Sequence, residues 1–184
     1  MRNSRADVVA AALRVLDVQG LESCSMRRVA AELDVQPSAL YHHVPNKQTL
    51  LALMADEIVR GVGRPLGVLS SESVAPVDAA RRICHELRDA MLAVRDGADV
   101  VATASAFRLG ASAVENRLAA LVGVDGARTL LLYTFGQAQS TQTHRQAAAF
   151  GALLESEEPR ADISDLDASF GRGIDIILAG LAAE

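Results

Sequence analysis

The sequence predicts an all-α chain, and three observations predict it. Half of its 184 residues are hydrophobic yet only 3% are aromatic, so Ala, Leu and Val must fill the core, a composition that favours helix. Apolar residues recur three and four positions apart through most of the chain, which is the period of one helix face. No convincing run alternates apolar with polar residues, as a half-buried strand would. The length suffices for one or two small helical domains with a sizeable core.

Ser4 caps the first helix, with Asp7 at the capping-box position three residues on. Val8, Ala12, Leu13 and Leu16 form its apolar stripe, and Gly20 ends it as a left-handed C-terminal residue. Ser25 caps a second helix, in which Val29, Ala30 and Leu33 lie at helical spacing. Asp34-Val35-Gln36 is a three-residue break. Pro37 then suits the first turn of a third helix, because its missing N–H has no partner there. That helix spans about two turns, residues 37–44, crowded with Ala39, Leu40, Tyr41 and Val44. Pro45 stops it, since the residue before a proline avoids the helical region. Two short helices across such a turn form a helix-turn-helix, whose second helix can lie in the DNA major groove. Asn46 caps a fourth helix reaching Arg60 or Val62. Its Leu50, Leu51, Leu53, Met54, Ile58 and Val59 cover a wide arc, so it must be packed on more than one side.

Residues 61–73, rich in Gly and Ser, read as a linker. Pro76 restarts helix, with Ile83, Leu87, Met91 and Val94 on one stripe. Arg95-Asp96-Gly97 breaks it with a turn signal. A short apolar helix follows over residues 99–109, ended by Gly110. Ser112 and Glu115 form a second capping box, opening a helix that Gly123 closes. Asp125 caps a long helix over residues 126–154, apolar nearly all round in its first half and amide-rich in its second. An acidic loop around Pro159 leads to the last helix, residues 166–183, with Leu166, Phe170, Ile174, Ile177, Leu178 and Leu181 on one stripe.

A net charge of −5 argues against a non-specific polyanion binder. The charge is uneven. Residues 1–64 hold eight Lys/Arg against seven Asp/Glu, and residues 65–184 hold ten against 16. A near-neutral N-terminal part with a few placed cations suits a small footprint on phosphates. Cys24 and Cys84 have no metal-like spacing and read as two buried thiols in a reducing compartment. No apolar stretch reaches the roughly 20 residues that span a bilayer, and the N-terminus lacks the unbroken apolar core of a signal peptide. A cytoplasmic protein without a membrane partner is expected. The sequence has no Gly-rich phosphate loop, no metal-spaced His/Cys/carboxylate set and no nucleophile–base pair. Neither an enzyme, a cofactor nor a metal site is therefore expected.

Residues 26–58 resemble the N-terminal DNA-binding domain of the TetR family of bacterial transcriptional regulators. The string LYHHVPNKQTLL, residues 40–51, is close to the most recognisable part of that domain. It is specific because it sets an aromatic, a His, an Asn-Lys pair and a following apolar helix at fixed spacing. Weaker matches run on: RDGADVVATASAF (95–107), SAVENRLAAL (112–121), YTFGQ (133–137) and FGRGIDIILAGL (170–181) resemble segments of the tetracycline-repressor branch. The resemblance implies a three-helix helix-turn-helix DNA-binding domain at residues 1–60. A fourth helix would join it to a helical effector-binding and dimerisation domain at residues 61–184. It implies a homodimeric regulator, a repressor, that binds a palindromic double-stranded DNA operator and is released by a small-molecule effector.

By the same resemblance Arg27 matches a position that reaches a base, and Lys47 one that holds phosphate. The chemistry agrees, since arginine can bridge a guanine edge and Lys47 sits at a helix N-terminus that suits an anion. Arg28 joins them as a candidate. Gln36, Ser38, Ala39, Tyr41, His42 and His43 are the exposed candidates on the third helix. Gln can read adenine, Ala can touch a thymine methyl, and Tyr41 and His43 can bond phosphates. Plainer alternatives stand beside these. Tyr41 could be core, one of the two His could only cap or be solvated, and Arg28 could pair with Glu32 four residues on, at little energetic value.

For the effector, His85, Arg88, Met91, Phe107, Arg117, Phe135, Gln139 and His144 are the candidate contacts. They offer an apolar chamber with few polar anchors, which suits a small, mostly hydrophobic molecule; plain core is the alternative for each. Where the tetracycline-repressor branch places the His that ligates the drug's magnesium, this chain has Val101. Its other drug-contacting positions fall at about Gly63, Ile83 and Arg117. Magnesium–tetracycline is therefore not the expected effector. For dimerisation the candidates are Gly136, Gly151, Phe170, Ile174, Ile177, Leu178 and Leu181. Interior Gly costs roughly 1 kcal/mol in a helix, which close helix approach would offset, and intramolecular packing is the alternative. A helical effector- or partner-binding bundle without sequence-specific DNA binding remains the competing function.

Overall fold

The computed structural model describes residues 3–64, 75–149 and 163–182. Among them lie eight helices and no strand: α1 (Arg5–Ser23), α2 (Met26–Glu32), α3 (Pro37–Leu40), α4 (Lys47–Ile58), α5 (Pro76–Leu92), α6 (Gly97–Ala106), α7 (Ser112–Ala149) and α8 (Ile163–Leu181). The chain divides into two compact units. One comprises Met1–Gly61 with Ala90–Ser112, so that α6 belongs with α1–α4; the other comprises Val62–Asp89 with Ala113–Glu184.

In the N-terminal unit, α1 opens on the expected capping box. The Ser4 hydroxyl accepts the Asp7 N–H at 3.2 Å, and the Asp7 carboxylate accepts the Ser4 N–H at 2.7 Å. The Ser4 N–H also holds the Asp7 carboxyl below its ordinary pKa. Val8, Ala11, Ala12, Val15 and Leu16 of α1 are buried, as are Val29, Ala30, Leu40, Leu50 and Met54 of α2–α4, and α1 packs on α2 and α4. Gly20 interrupts α1 with φ 77° and ψ 171°, a conformation that suits glycine. Residues 21–23 add one further turn beyond the Gly20 stop that the sequence predicts.

A clasp that was not legible in the sequence closes this break. Arg95 donates to the carbonyls of Asp17 and Val18 at 3.2 and 2.9 Å, and the Asp96 carboxylate accepts the Leu21 N–H at 2.7 Å. Together they satisfy helix-end groups that have no partner within the helix. Asp96 holds φ 54° to do so, in a region that costs most L-residues about 1–2 kcal/mol. Asp96→Ala should thus destabilise the N-terminal unit by about 2 kcal/mol and strip the Leu21 amide of protection from hydrogen exchange. An unchanged Leu21 exchange rate would show that the clasp does not hold α1. On the other side of the unit, α4 packs along α6. Gly110 allows the close approach there, since a Cβ on it would lie 2.7 Å from the Ala52 carbonyl oxygen.

In the C-terminal unit, Phe170, Ile174 and Leu178 of α8 are fully buried with Ile83, Cys84 and Leu87 of α5 and Leu118, Leu130 and Leu131 of α7. The Tyr133 ring stacks on Phe170 with centroids 5.8 Å apart. The α8 stripe expected to meet a second copy is therefore, at Phe170, Ile174 and Leu178, core of the protomer itself. A helix laid on two others must bury its strongest stripe, and this one is the most apolar that α8 has. Gly123, at φ 76°, breaks α7 into residues 112–122 and 124–149, as the sequence predicts, although one residue makes the join. The helix predicted to reach residue 154 runs to Ala149, and residues 150–154 lie outside the described part. By length and composition alone α7 could cross a membrane. Its inward face is instead occupied by α8, with Tyr133 on Phe170 and Gly126 against Leu181.

Candidate functional site

The first site is built on α2, α3 and the start of α4. The Ser25 hydroxyl accepts the Arg28 N–H at 3.3 Å and starts α2. The chain leaves α2 through Asp34 at φ 52°, a left-handed position that Asp tolerates better than most residues. Gln36 is the N-cap of α3 and Pro37 its first residue. The regular helix is shorter than the two turns predicted, because it ends at Leu40. Residues 41–43 continue as turns in which the N–H groups of His43 and Val44 both reach the Leu40 carbonyl, at 2.9 and 2.8 Å. Leu40 and Val44 are buried and pin this segment to the core. The Asn46 side chain then accepts the Thr49 N–H at 2.8 Å and starts α4.

That anchoring leaves the other face outward. Gln36, Ser38, Ala39, Tyr41 and His42 are exposed, and His43 is half-buried. Tyr41 is 51% exposed, which removes its alternative reading as core. Arg27, Arg28 and Lys47 are exposed and have no carboxylate partner among the described residues. The alternative pairing of Arg28 with Glu32 does not form, because Glu32 is held by Arg14 at 2.8 Å. Three exposed cations without a carboxylate partner among the described residues can meet phosphates without first breaking an ion pair. A separate cleft of about 370 Å³ between α1 and α4, lined by Arg5, Leu53, Asp56 and Arg60 among others, includes none of the residues predicted for a site.

The second set of residues lies elsewhere. His85, Arg88, Arg117, Phe135, Gln139 and His144 belong to the C-terminal unit, while Met91 and Phe107 belong to the N-terminal one. Met91 is fully buried, and Phe107 is 62% exposed at the end of α6. Arg117 donates to the Val62 carbonyl at 2.6 Å, and Phe135 is buried, whereas Gln139 and His144 are half-buried. The structure brings His85 and Arg88 together on Phe170: the His85 ring meets it edge-on at 5.0 Å, and the guanidinium lies 4.9 Å from its centroid. Arg88 is 4% exposed and donates to Asp167 at 2.7 Å and to Thr141 at 3.3 Å. Those two partners, and Tyr133, were not predicted; they lie far from Arg88 in sequence, and no local pattern marks them.

Gly63, Ile83 and Arg117 also meet in the C-terminal unit. A Cβ on Gly63 would stand 3.2 Å from an Ile83 side-chain carbon and 3.1 Å from one of Arg117. Val101 is fully buried in the N-terminal unit. On α7 and α8 an outward apolar face remains. Leu132 and Ile176 are 63% and 73% exposed, and Gly136 and Gly180, each four residues further on, have nothing near a built Cβ. Ile177 and Leu181 are half-buried, and Gly151 lies outside the described residues.

Residues 8–54 match the family model described as bacterial regulatory proteins, tetR family. The HTH-type transcriptional repressor DrrR1 of Streptomyces coeruleorubidus is 29% identical over 96% of this chain and 68% of its own length. Among solved structures, BioQ of Mycobacterium smegmatis superposes with a TM-score of 0.84 at 33% identity, covering 98% of both chains. A BioQ solved with its double-stranded DNA operator gives 0.79 at 30% identity, covering 99% of both.

Proposed function

The chain belongs to the TetR family of bacterial regulatory proteins, and from that premise we propose that it acts as a homodimeric, ligand-responsive repressor. Residues 1–60 carry the DNA contacts, and residues 61–184 carry the effector site and the dimer interface. The observation that supports this most directly is the outward turn of α3, held by the buried Leu40 and Val44, together with the exposed Arg27, Arg28 and Lys47 that have no carboxylate partner among the described residues. Its match to a relative solved on an operator makes the DNA-free bundle the weaker account. Arg27 reads a base edge, Lys47 and Arg28 hold phosphates, and Gln36, Ser38, Ala39, Tyr41, His42 and His43 face the groove. Working on DNA places the protein in the cytoplasm.

The dimer forms through the outward face of Leu132, Gly136, Ile176 and Gly180, which exposes large apolar side chains beside glycines that allow close approach. Two α3 elements then meet successive major grooves about 34 Å apart. A small effector in the C-terminal unit favours a spacing of the heads that misses those grooves, which is a coupling free energy between two sites. Magnesium–tetracycline is not that effector. Val101 offers no ligand where the magnesium-binding His belongs, and Ile83 and Arg117 fill the space beside Gly63.

Selection of random duplex DNA by the purified protein, repeated across salt concentrations, tests the reading. Enrichment of a pseudo-palindrome with affinity falling steeply as salt rises is expected. Recovery of no motif, with only weak salt-sensitive binding, would favour the DNA-free bundle.

A further inference from the structure

Among the described residues the buried polar side chains of the C-terminal unit are Arg88, Thr134, Thr141 and Gln142, and Arg88 of α5 faces Thr141 of α7 and Asp167 of α8. A guanidinium 4% exposed is costly to bury and needs its donors satisfied. The buried Nε of Arg88 has no hydrogen-bond partner among the described residues. The Nε–H and the neighbouring Nη2–H form one edge with two parallel donors, the edge that matches a carboxylate in two places. Asp167 reaches only Nη2, at 2.7 Å, an atom it shares with Thr141, and does so from a side chain 55% exposed. Phe170 and His85 form an aromatic wall beside the same group.

We propose that Arg88 is the anion anchor of the effector site and that the effector is a carboxylic acid with an apolar body. This rests on the ligand-responsive reading above and deepens it. The ligand's carboxylate takes the free Nε–H and competes with Asp167 for the second donor, forming two bonds where Asp167 forms one. A phosphate monoester fits less well, because its second negative charge would face Asp167 with no further donor free on that edge. The apolar body packs beside the aromatic pair His85 and Phe170 that borders the guanidinium. Displacing Asp167 releases the first turns of α8, which gives binding a way to act on the element that also carries Ile176 and Gly180.

The test uses the full-length protein, titrated calorimetrically with benzoate, 2-naphthoate, octanoate and decanoate and with the primary amide of each. At least one acid should bind roughly tenfold more tightly than its amide, the effect of one charge-assisted bond. Arg88→Gln should abolish that preference. Asp167→Asn, which keeps a side-chain acceptor for Nη2 but removes the competing charge, should tighten acid binding by about tenfold. Acids that bind no better than amides, an absence of acid binding, or no gain in Asp167→Asn would each overturn the proposal. Should Arg88→Gln not fold, the Asp167→Asn result decides alone. Binding of the selected operator is measured on the same preparations. Intact operator binding without acid preference sinks only the carboxylate anchor, whereas loss of operator binding by the unsubstituted protein sinks the regulator reading.

Discussion

Truncating Phe170 to Ala should cost about 3–5 kcal/mol. Its ring is fully buried and is touched from three sides, by His85 edge-on, Tyr133 face-on and the Arg88 guanidinium. Aromatic and cation–π contacts add about 0.5–1.5 kcal/mol each to the burial term. The ring also shields Arg88, so its removal leaves a cavity beside a buried charge. Against a total of about 5–15 kcal/mol for a typical domain, such a loss brings the C-terminal unit close to unfolding at ambient temperature. Phe170→Leu, which keeps most of the apolar volume, should cost far less. Urea unfolding of both variants checks this. A Phe170→Ala protein within about 1 kcal/mol of the parent would mean that the residue is not core, and would return it to the dimer interface that the sequence first suggested.

The second large effect is on DNA. Arg27→Ala combined with Lys47→Ala should weaken operator binding by roughly a hundredfold and lower the salt slope by about 1 for the lost phosphate contact. The two residues differ in kind. Loss of Arg27 should relax specificity at one base pair, whereas loss of Lys47 should weaken all sequences alike. Neither should disturb folding, because both side chains are exposed and neither has a carboxylate partner among the described residues. Fluorescence anisotropy on operator and scrambled duplexes separates the outcomes. Undiminished operator affinity would refute the assignment of this face to DNA.

Local pattern carried the N-terminal site well. Ser4, Ser25 and Asn46 cap where their side-chain chemistry predicts, because a cap reads an amide only two or three residues away. Asp34-Val35-Gln36 breaks the chain as expected for the same reason. The length of α3 was harder to read, since Ala39, Leu40 and Tyr41 are all compatible with more helix than forms. What the sequence hid were pairings across distance. Glu32 is four residues from Arg28 yet bonds Arg14. Arg95 and Asp96 look like a turn and prove to hold α1. The α8 stripe illustrates a deeper limit: periodicity shows that a face is buried, but not whether the same chain or a second copy buries it.

The shortness of α3 has a consequence for how such a protein can change over generations. A single helical turn has no stability of its own, so the fold of this segment is set by Leu40 and Val44 and by the two elements around it. The outward residues add almost nothing to that stability. Gln36, Ser38, Ala39, Tyr41 and His42 can therefore be exchanged with little risk to the scaffold, typically within about 0.5 kcal/mol each. If these residues read the operator as proposed, mutational drift at them would move the protein among operators while leaving its foldedness untouched. On that reading a lineage built on this scaffold could acquire new target genes without first acquiring spare stability.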